Sequence, residues 1–153
     1  PVDVVVIDGW CLGAKPQSEQ DLVEPVNVLE KTEDPEQIWR RYVNEQLKGC
    51  YQQLFGMIDV LIMLKVPSME CVFEWRALQE KKLSERVKFM EQEGRPDALK
   101  IMSESEIHRF IMHYERLTRM MLEQMADAAD VTSFLNENHK IFKILINRPL
   151  PRL

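Results

Sequence analysis

The chain of 153 residues is 45% hydrophobic and 29% charged with a formal net charge of −5, the make-up of a folded domain with a real core and not of a disordered segment. The acidic balance disfavours nucleic acid as a partner, since phosphate backbones are repelled unless a local basic patch overrides the charge. No apolar run approaches the ~18 residues of a membrane-spanning helix.

Residues 1–7 lack the basic leader and small-residue cleavage site of a signal peptide. Cys11, Cys50 and Cys71 are odd in number and never spaced C-x-x-C, which suits a reducing compartment. The expectation is a cytoplasmic chain with neither nucleic acid nor membrane as partner.

Residues 2–7, Val-Asp-Val-Val-Val-Ile, are β-branched and apolar at nearly every position, the pattern of a parallel strand covered on both faces. Gly9 to Lys31 reads as a long loop, a kind of segment that is usually functional in a compact domain. Asp34-Pro35-Glu36-Gln37 marks a helix start, with Asp34 as cap and Gln37 at the capping-box position. An apolar face through Ile38, Tyr42, Leu47, Cys50 and Leu54 carries that helix to about Phe55, and Gly56 ends it.

Asp59 to Val66 reads as a second strand, apolar on both faces. Pro67-Ser68 then opens a charge-rich helix over about 68–93, stopped by Gly94 and Pro96. Val72, Trp75, Gln79, Leu83, Val87 and Met90 share one side of it, while Arg76, Glu80, Lys81, Lys82 and Glu85 cluster elsewhere. Ser103-Glu104-Ser105-Glu106 is a capping box, followed by a helix to about Met125 with the stripe Ile107, Phe110, Ile111, Tyr114, Leu117, Met121 and Met125. Val131 to Leu135 is a third strand, Asn136 to His139 a turn, and Ile141 to Ile146 a fourth strand or a short strand-helix piece; 147–153 form a tail. Strands separated by helices predict an α/β fold with a mostly parallel sheet.

Asp8, followed by Gly9, closes the first strand. In open α/β sheets ligands bind beyond the carboxyl ends of the strands. A carboxylate there suits magnesium held through water, or a proton taken from a substrate hydroxyl. A loop-capping aspartate is the other reading. His108 and His113 lie five apart, off a common helix face and without further ligands, so a zinc site is not expected. The methionines of the last long helix read as core filler. Cys11 has no histidine near it in sequence and is not read as a nucleophile.

"VVVIDGWCLGAKP" resembles the third-strand segment of P-loop kinases of the phosphoribulokinase, uridine kinase and pantothenate kinase branch. Together with "EPVNVLEKTEDPEQIWRRYVNEQLKGCYQQLF" it looks closer still to the glycerate-kinase-like members. "VFEWRALQEKKL" resembles their lid helix, and "HRFIMHYERLTRMMLEQMADAADVTSFLNENHKI" resembles the late helix, strand and turn that close the fold. The likeness runs through nearly the whole chain in order.

It implies an ATP- and Mg2+-dependent transfer of a phosphoryl group to a small hydroxylated metabolite, glycerate-like. Asp8 is implied as catalytic and metal-linked, and Arg76 as the lid cation that stabilises charge on the transferring group. Gly9, Gln79 and Glu80 are implied on the cofactor side, Tyr114 and Arg116 on the acceptor side. Read from the residues alone, Arg76 is first of all an exposed i,i+4 partner of Glu80.

The motif G-x-x-x-x-G-K-[ST], whose backbone and lysine cradle the phosphates, is absent; no Gly-Lys pair occurs in the chain. The resemblance therefore implies that residues 1–153 are the C-terminal part of a single P-loop kinase domain. The upstream phosphate-loop segment would be a partner, and its strand would lie between 2–7 and 59–66, so the sheet is expected to be incomplete. Residues 1–153 alone are then expected to be inactive. The alternative is a non-catalytic α/β interaction module.

Overall fold

The computed structural model describes residues 2–92 and 100–149. Three strands form one sheet in the order β1 (Ile62–Lys65), β2 (Val131–Leu135), β3 (Ile141–Ile146). β1 and β2 are parallel, with Met63 beside Thr132; β2 and β3 are antiparallel, with Thr132 beside Leu145. The sheet is thus mixed where a mostly parallel one was expected. The reason is local: Asn136 to His139 is a tight turn, in which the Asn136 side chain accepts from the Asn138 and Lys140 N–H groups, and a turn that short only returns the chain antiparallel.

The expected first strand does not form among the described residues. Residues 2–7 have no strand pairing, and Val2, Val4, Val5, Val6 and Ile7 are all exposed. A strand exists only by pairing, and β-branched composition supplies propensity without a partner. β1 is also shorter than 59–66, and it alternates exposed and buried residues, so it is covered on one face only.

The segment expected as one loop over 9–31 ends in a short helix, α1 (Val28–Glu33), capped by Asn27, whose side chain accepts from the Glu30 N–H. Gly13, with φ +78, lets the loop turn close under the sheet; an added Cβ would lie 2.5 Å from Leu61 Cδ2. The helix expected over 34–55 is two, α2 (Ile38–Lys48) and α3 (Cys50–Phe55), broken at Gly49 and ended at Gly56. Asp34 does cap it, its carboxylate accepting from the Trp39 and Arg40 N–H groups. Gln37 makes no capping bond and instead takes the left-handed conformation at φ 62.

Two long antiparallel helices complete the chain: α4 (Met69–Gln92) and α5 (Glu104–Ala128). The expected stop at Gly94 and Pro96 lies outside the described residues. The capping box forms as read, Ser103 accepting from the Glu106 N–H while Glu106 accepts from the Ser103 N–H. α5 is the spine. Leu117, Met120, Met121 and Met125 join Ala14, Leu47 and Met63 in the main core, and Ile107 and Ile111 meet Met69 of α4 in a smaller one. No helix among the described residues is long and apolar enough to cross a membrane.

Candidate functional site

Phe110, Tyr114 and Thr118 stand at i, i+4 and i+8 on α5, on one line down the helix. Phe110 and Tyr114 belong to the stripe expected in the core, yet both remain more than a third exposed, with ring centroids 4.8 Å apart. At one end of the line, Arg76 of α4 lays its guanidinium 5.2 Å from the Phe110 ring. At the other end, Trp10 stands edge-on to Tyr114 at 4.9 Å and donates its indole N–H to Thr118 Oγ1 at 2.9 Å. Thr118 in turn donates to the Tyr114 carbonyl, so its hydroxyl is oriented to accept.

Arg76 is held from three sides. Besides Phe110 beneath it, Nη1 donates to Gln79 Oε1 at 2.8 Å and Nη2 meets Glu80 Oε1 at 2.5 Å. Glu80 is only 4% exposed, and its second oxygen accepts from the Met102 N–H at 3.0 Å. One buried carboxylate therefore fixes both the arginine and the chain entering α5. This makes the pair stronger than a solvated i,i+4 bridge, because the carboxylate has few other partners. It also places Gln79 and Glu80 behind Arg76, as the residues that position it.

Asp8 and Gly9 are exposed and precede Trp10 directly. Trp10 packs on Tyr114 and Arg76 on Phe110, with Gln79 and Glu80 behind the arginine, so Trp10, Arg76 and Tyr114 share one side of α5. Arg116 does not. Two positions after Tyr114 it projects from the helix roughly 200° away, and its guanidinium is buried against Glu30, with Nε–Oε1 at 2.8 Å and Nη2–Oε2 at 2.6 Å. It also donates to the Asp21 and Glu24 carbonyls. Arg116 thereby clamps the segment from Asp21 to Glu30 onto α5. Arg40 adds to it, pairing with Glu30 and Asp34, and Asn27 binds Glu115 and the Met112 carbonyl.

The sequence reading does not place Trp10, Phe110 or Thr118 at the site. The i, i+4, i+8 spacing of 110, 114 and 118 was the available signal, hidden because two of its members also fit an apolar stripe. Among the described residues no group of three or more His, Cys, Asp or Glu side chains could hold a metal ion. His108 stacks on Phe73, and His113 Nδ1 lies 2.8 Å from the Arg109 carbonyl. Burial pushes the Cys11 thiol up, against a smaller pull from its backbone bond, which leaves it a poor nucleophile.

No protein-family model matches the chain. It is similar to the chloroplastic D-glycerate 3-kinase of Arabidopsis thaliana, 28% identical over 114 residues that make up 74% of this chain and 20% of that protein. Its fold is similar to the D-glycerate 3-kinase of Cryptococcus neoformans var. grubii, with a TM-score of 0.68 at 19% identity over 95% of this chain and 50% of the other. It is also similar to the YGR205w protein, with a TM-score of 0.54 at 17% identity over 90% and 45%. The chain thus spans about half of each solved structure and a fifth of the curated relative.

Proposed function

We propose that this chain is the C-terminal, acceptor-side part of an ATP-dependent kinase that phosphorylates a hydroxyl of a glycerate-like acid. The carrying observation is the line Arg76–Phe110–Tyr114–Trp10, which sets a fixed cation and the residue that follows Asp8-Gly9 on one helix face. The likeness to D-glycerate 3-kinases in sequence and fold supports the acceptor class.

Arg76 supplies positive charge where charge accumulates during transfer, and because Gln79, Glu80 and Phe110 hold it in place it need not reorganise. Tyr114 and Trp10 offer apolar edges with a hydroxyl and an indole to a small acid, and Asp8 accepts a proton from its hydroxyl. For magnesium, Asp8 would offer its carboxylate, a donor that suits an ion held otherwise by water and substrate phosphates; when bound, the ion would neutralise phosphate charge. The phosphates of ATP find no cradle in this chain, which has no Gly-Lys pair, and that part is assigned to an upstream segment.

The test is a titration of the chain with D-glycerate followed by NMR. Specific shifts at the Trp10 indole N–H and the Arg76 side chain are expected. Saturable shifts confined to other residues, or none at millimolar ligand, would instead favour the non-catalytic interaction module.

A further inference from the structure

Trp75 and Arg76 are neighbours on α4, and their side chains diverge. Met69, Phe73 and Arg76 lie within about 60° of one another round the helix, and all three meet α5. Met69 packs with Ile107 and Ile111, the Phe73 ring lies 4.7 Å from that of His108, and Arg76 rests on Phe110. Trp75 points about 120° away from Met69. Its indole N–H donates to the Glu137 carbonyl at 3.1 Å, and its ring centroid lies 4.1 Å from that of His139. Both partners belong to the turn between β2 and β3.

That turn is stiff. Asn136 donates its N–H to the Lys140 carbonyl at 2.9 Å and accepts the His139 N–H on its own carbonyl at 3.0 Å, while its side chain accepts from the Asn138 and Lys140 N–H groups. His139 takes the left-handed conformation there, at φ 61. Glycine or asparagine adopts that conformation with little strain, whereas a histidine gives up stability. The ring it brings is the one that meets Trp75. A side chain that sits where the backbone disfavours it, and whose ring holds a neighbouring helix, points from strain to a role.

We infer that His139, acting through Trp75, is a positioning residue for Arg76. The contacts with α5 hold α4 along one line, about which the helix can roll; the turn holds it from a second side and stops the roll. Gln79 and Glu80 ride on α4 with Arg76, and the Glu80 bond to the Met102 N–H lies on the α5 side as well. About 10° of roll moves a group at the helix surface, ~6 Å from the axis, by about 1 Å. A misplacement of about 1 Å in a group that acts on the reacting atoms costs on the order of 10² in rate. The inference rests on the proposed reading for what Arg76 does, and stands apart from it in how Arg76 is held.

The test is His139→Gly in the intact gene product. Glycine removes the ring and relieves the left-handed backbone, so an unchanged or raised midpoint is expected in urea unfolding. The kcat for glycerate phosphorylation is expected to fall at least tenfold, with KM for glycerate within about threefold, and His139→Phe, which returns a ring, to recover most of the loss. In an Arg76→Ala background the same substitution should change kcat less than twofold, because the residue it positions is gone. Side-chain NMR gives a readout without turnover: the Arg76 Nε–H group is expected to lose order in His139→Gly and regain it in His139→Phe. Trp75→Leu removes the same contact from α4, with the same expected pattern, should a turn variant not fold.

In an active sample, an unchanged kcat or an unchanged Arg76 order in His139→Gly overturns the inference. So does a fall in kcat of equal size with and without Arg76, which makes His139 act elsewhere, and so does a fall that accompanies a lowered midpoint, which leaves the turn a merely structural part. The two claims fail separately. No glycerate turnover by the unsubstituted protein, with Arg76 order lost in His139→Gly, removes the kinase reading alone; turnover with Arg76 order unchanged removes the positioning alone.

Discussion

The indole of Trp10 stands edge-on to Tyr114 and gives its N–H to Thr118, one turn further along α5. These contacts moor the Asp8–Gly9 segment, whose other apolar residues are exposed. Trp10→Ala is expected to weaken glycerate binding by a factor on the order of 10, since an edge-to-face pair and a hydrogen bond are each worth about 1 kcal/mol. Trp10→Phe keeps the ring contact and should fall between. Calorimetric titration of both variants checks the order, and equal affinity in all three proteins would detach Asp8 from the site.

The Arg76–Glu80 pair changes what removing the arginine should do. An exposed lid arginine would leave folding untouched. Here Arg76→Ala strands a buried carboxylate, and a loss of about 1–3 kcal/mol is expected in urea unfolding. Glu80→Gln in the Arg76→Ala background keeps the acceptor for the Met102 N–H and removes the charge, so it should restore part of that stability. Additive effects of the two substitutions would mean that the pair is not coupled.

Arg116 and Glu30 are 86 residues apart in sequence and meet through two hydrogen bonds in a buried place. Removing one partner of a buried pair costs roughly 3–5 kcal/mol, a large share of the ~5–15 kcal/mol that a domain has. Arg116→Ala is therefore expected to lower the denaturation midpoint more than any other substitution named here. A near-native midpoint would return Arg116 to the list of surface residues open to substrate.

That pair also shows where sequence reading stopped. The Ser103–Glu106 capping box and the stop at Gly56 were legible because short-range chemistry decides them. The Gly49 break and the left-handed Gln37 depend on how α2 and α3 pack, and nothing in the local pattern marks them. Residues 2–7 had the composition of a buried strand but find no partner among the described residues. Of the site, Arg76 and Tyr114 were read from resemblance and meet on one face through Phe110, whereas the roughly 200° between 114 and 116 puts Arg116 on another face of α5.

Glu106 gives the pH dependence. The Lys100 ammonium first, then the Ser103 backbone and hydroxyl donors, hold its carboxyl down to about 2. A depressed carboxyl stabilises the fold in full above the ordinary glutamate value of ~4.3. That contribution is lost as pH falls from there through about 2. The first turn of α5 should lose amide protection across this window, and Glu106→Gln should flatten the change. Carbon-detected NMR titration of Glu106 checks it; a midpoint near the ordinary value would contradict the capping geometry as drawn.

The most direct test of the account is D-glycerate-dependent phosphoryl transfer from ATP by the intact gene product, measured with and without Arg76→Ala. The account expects turnover of glycerate by the unsubstituted protein and a fall in kcat on the order of 10² or more in the variant, with the variant shown by circular dichroism to be folded at the assay temperature. No transfer to glycerate by the unsubstituted protein, or an unchanged kcat in the variant, would contradict it.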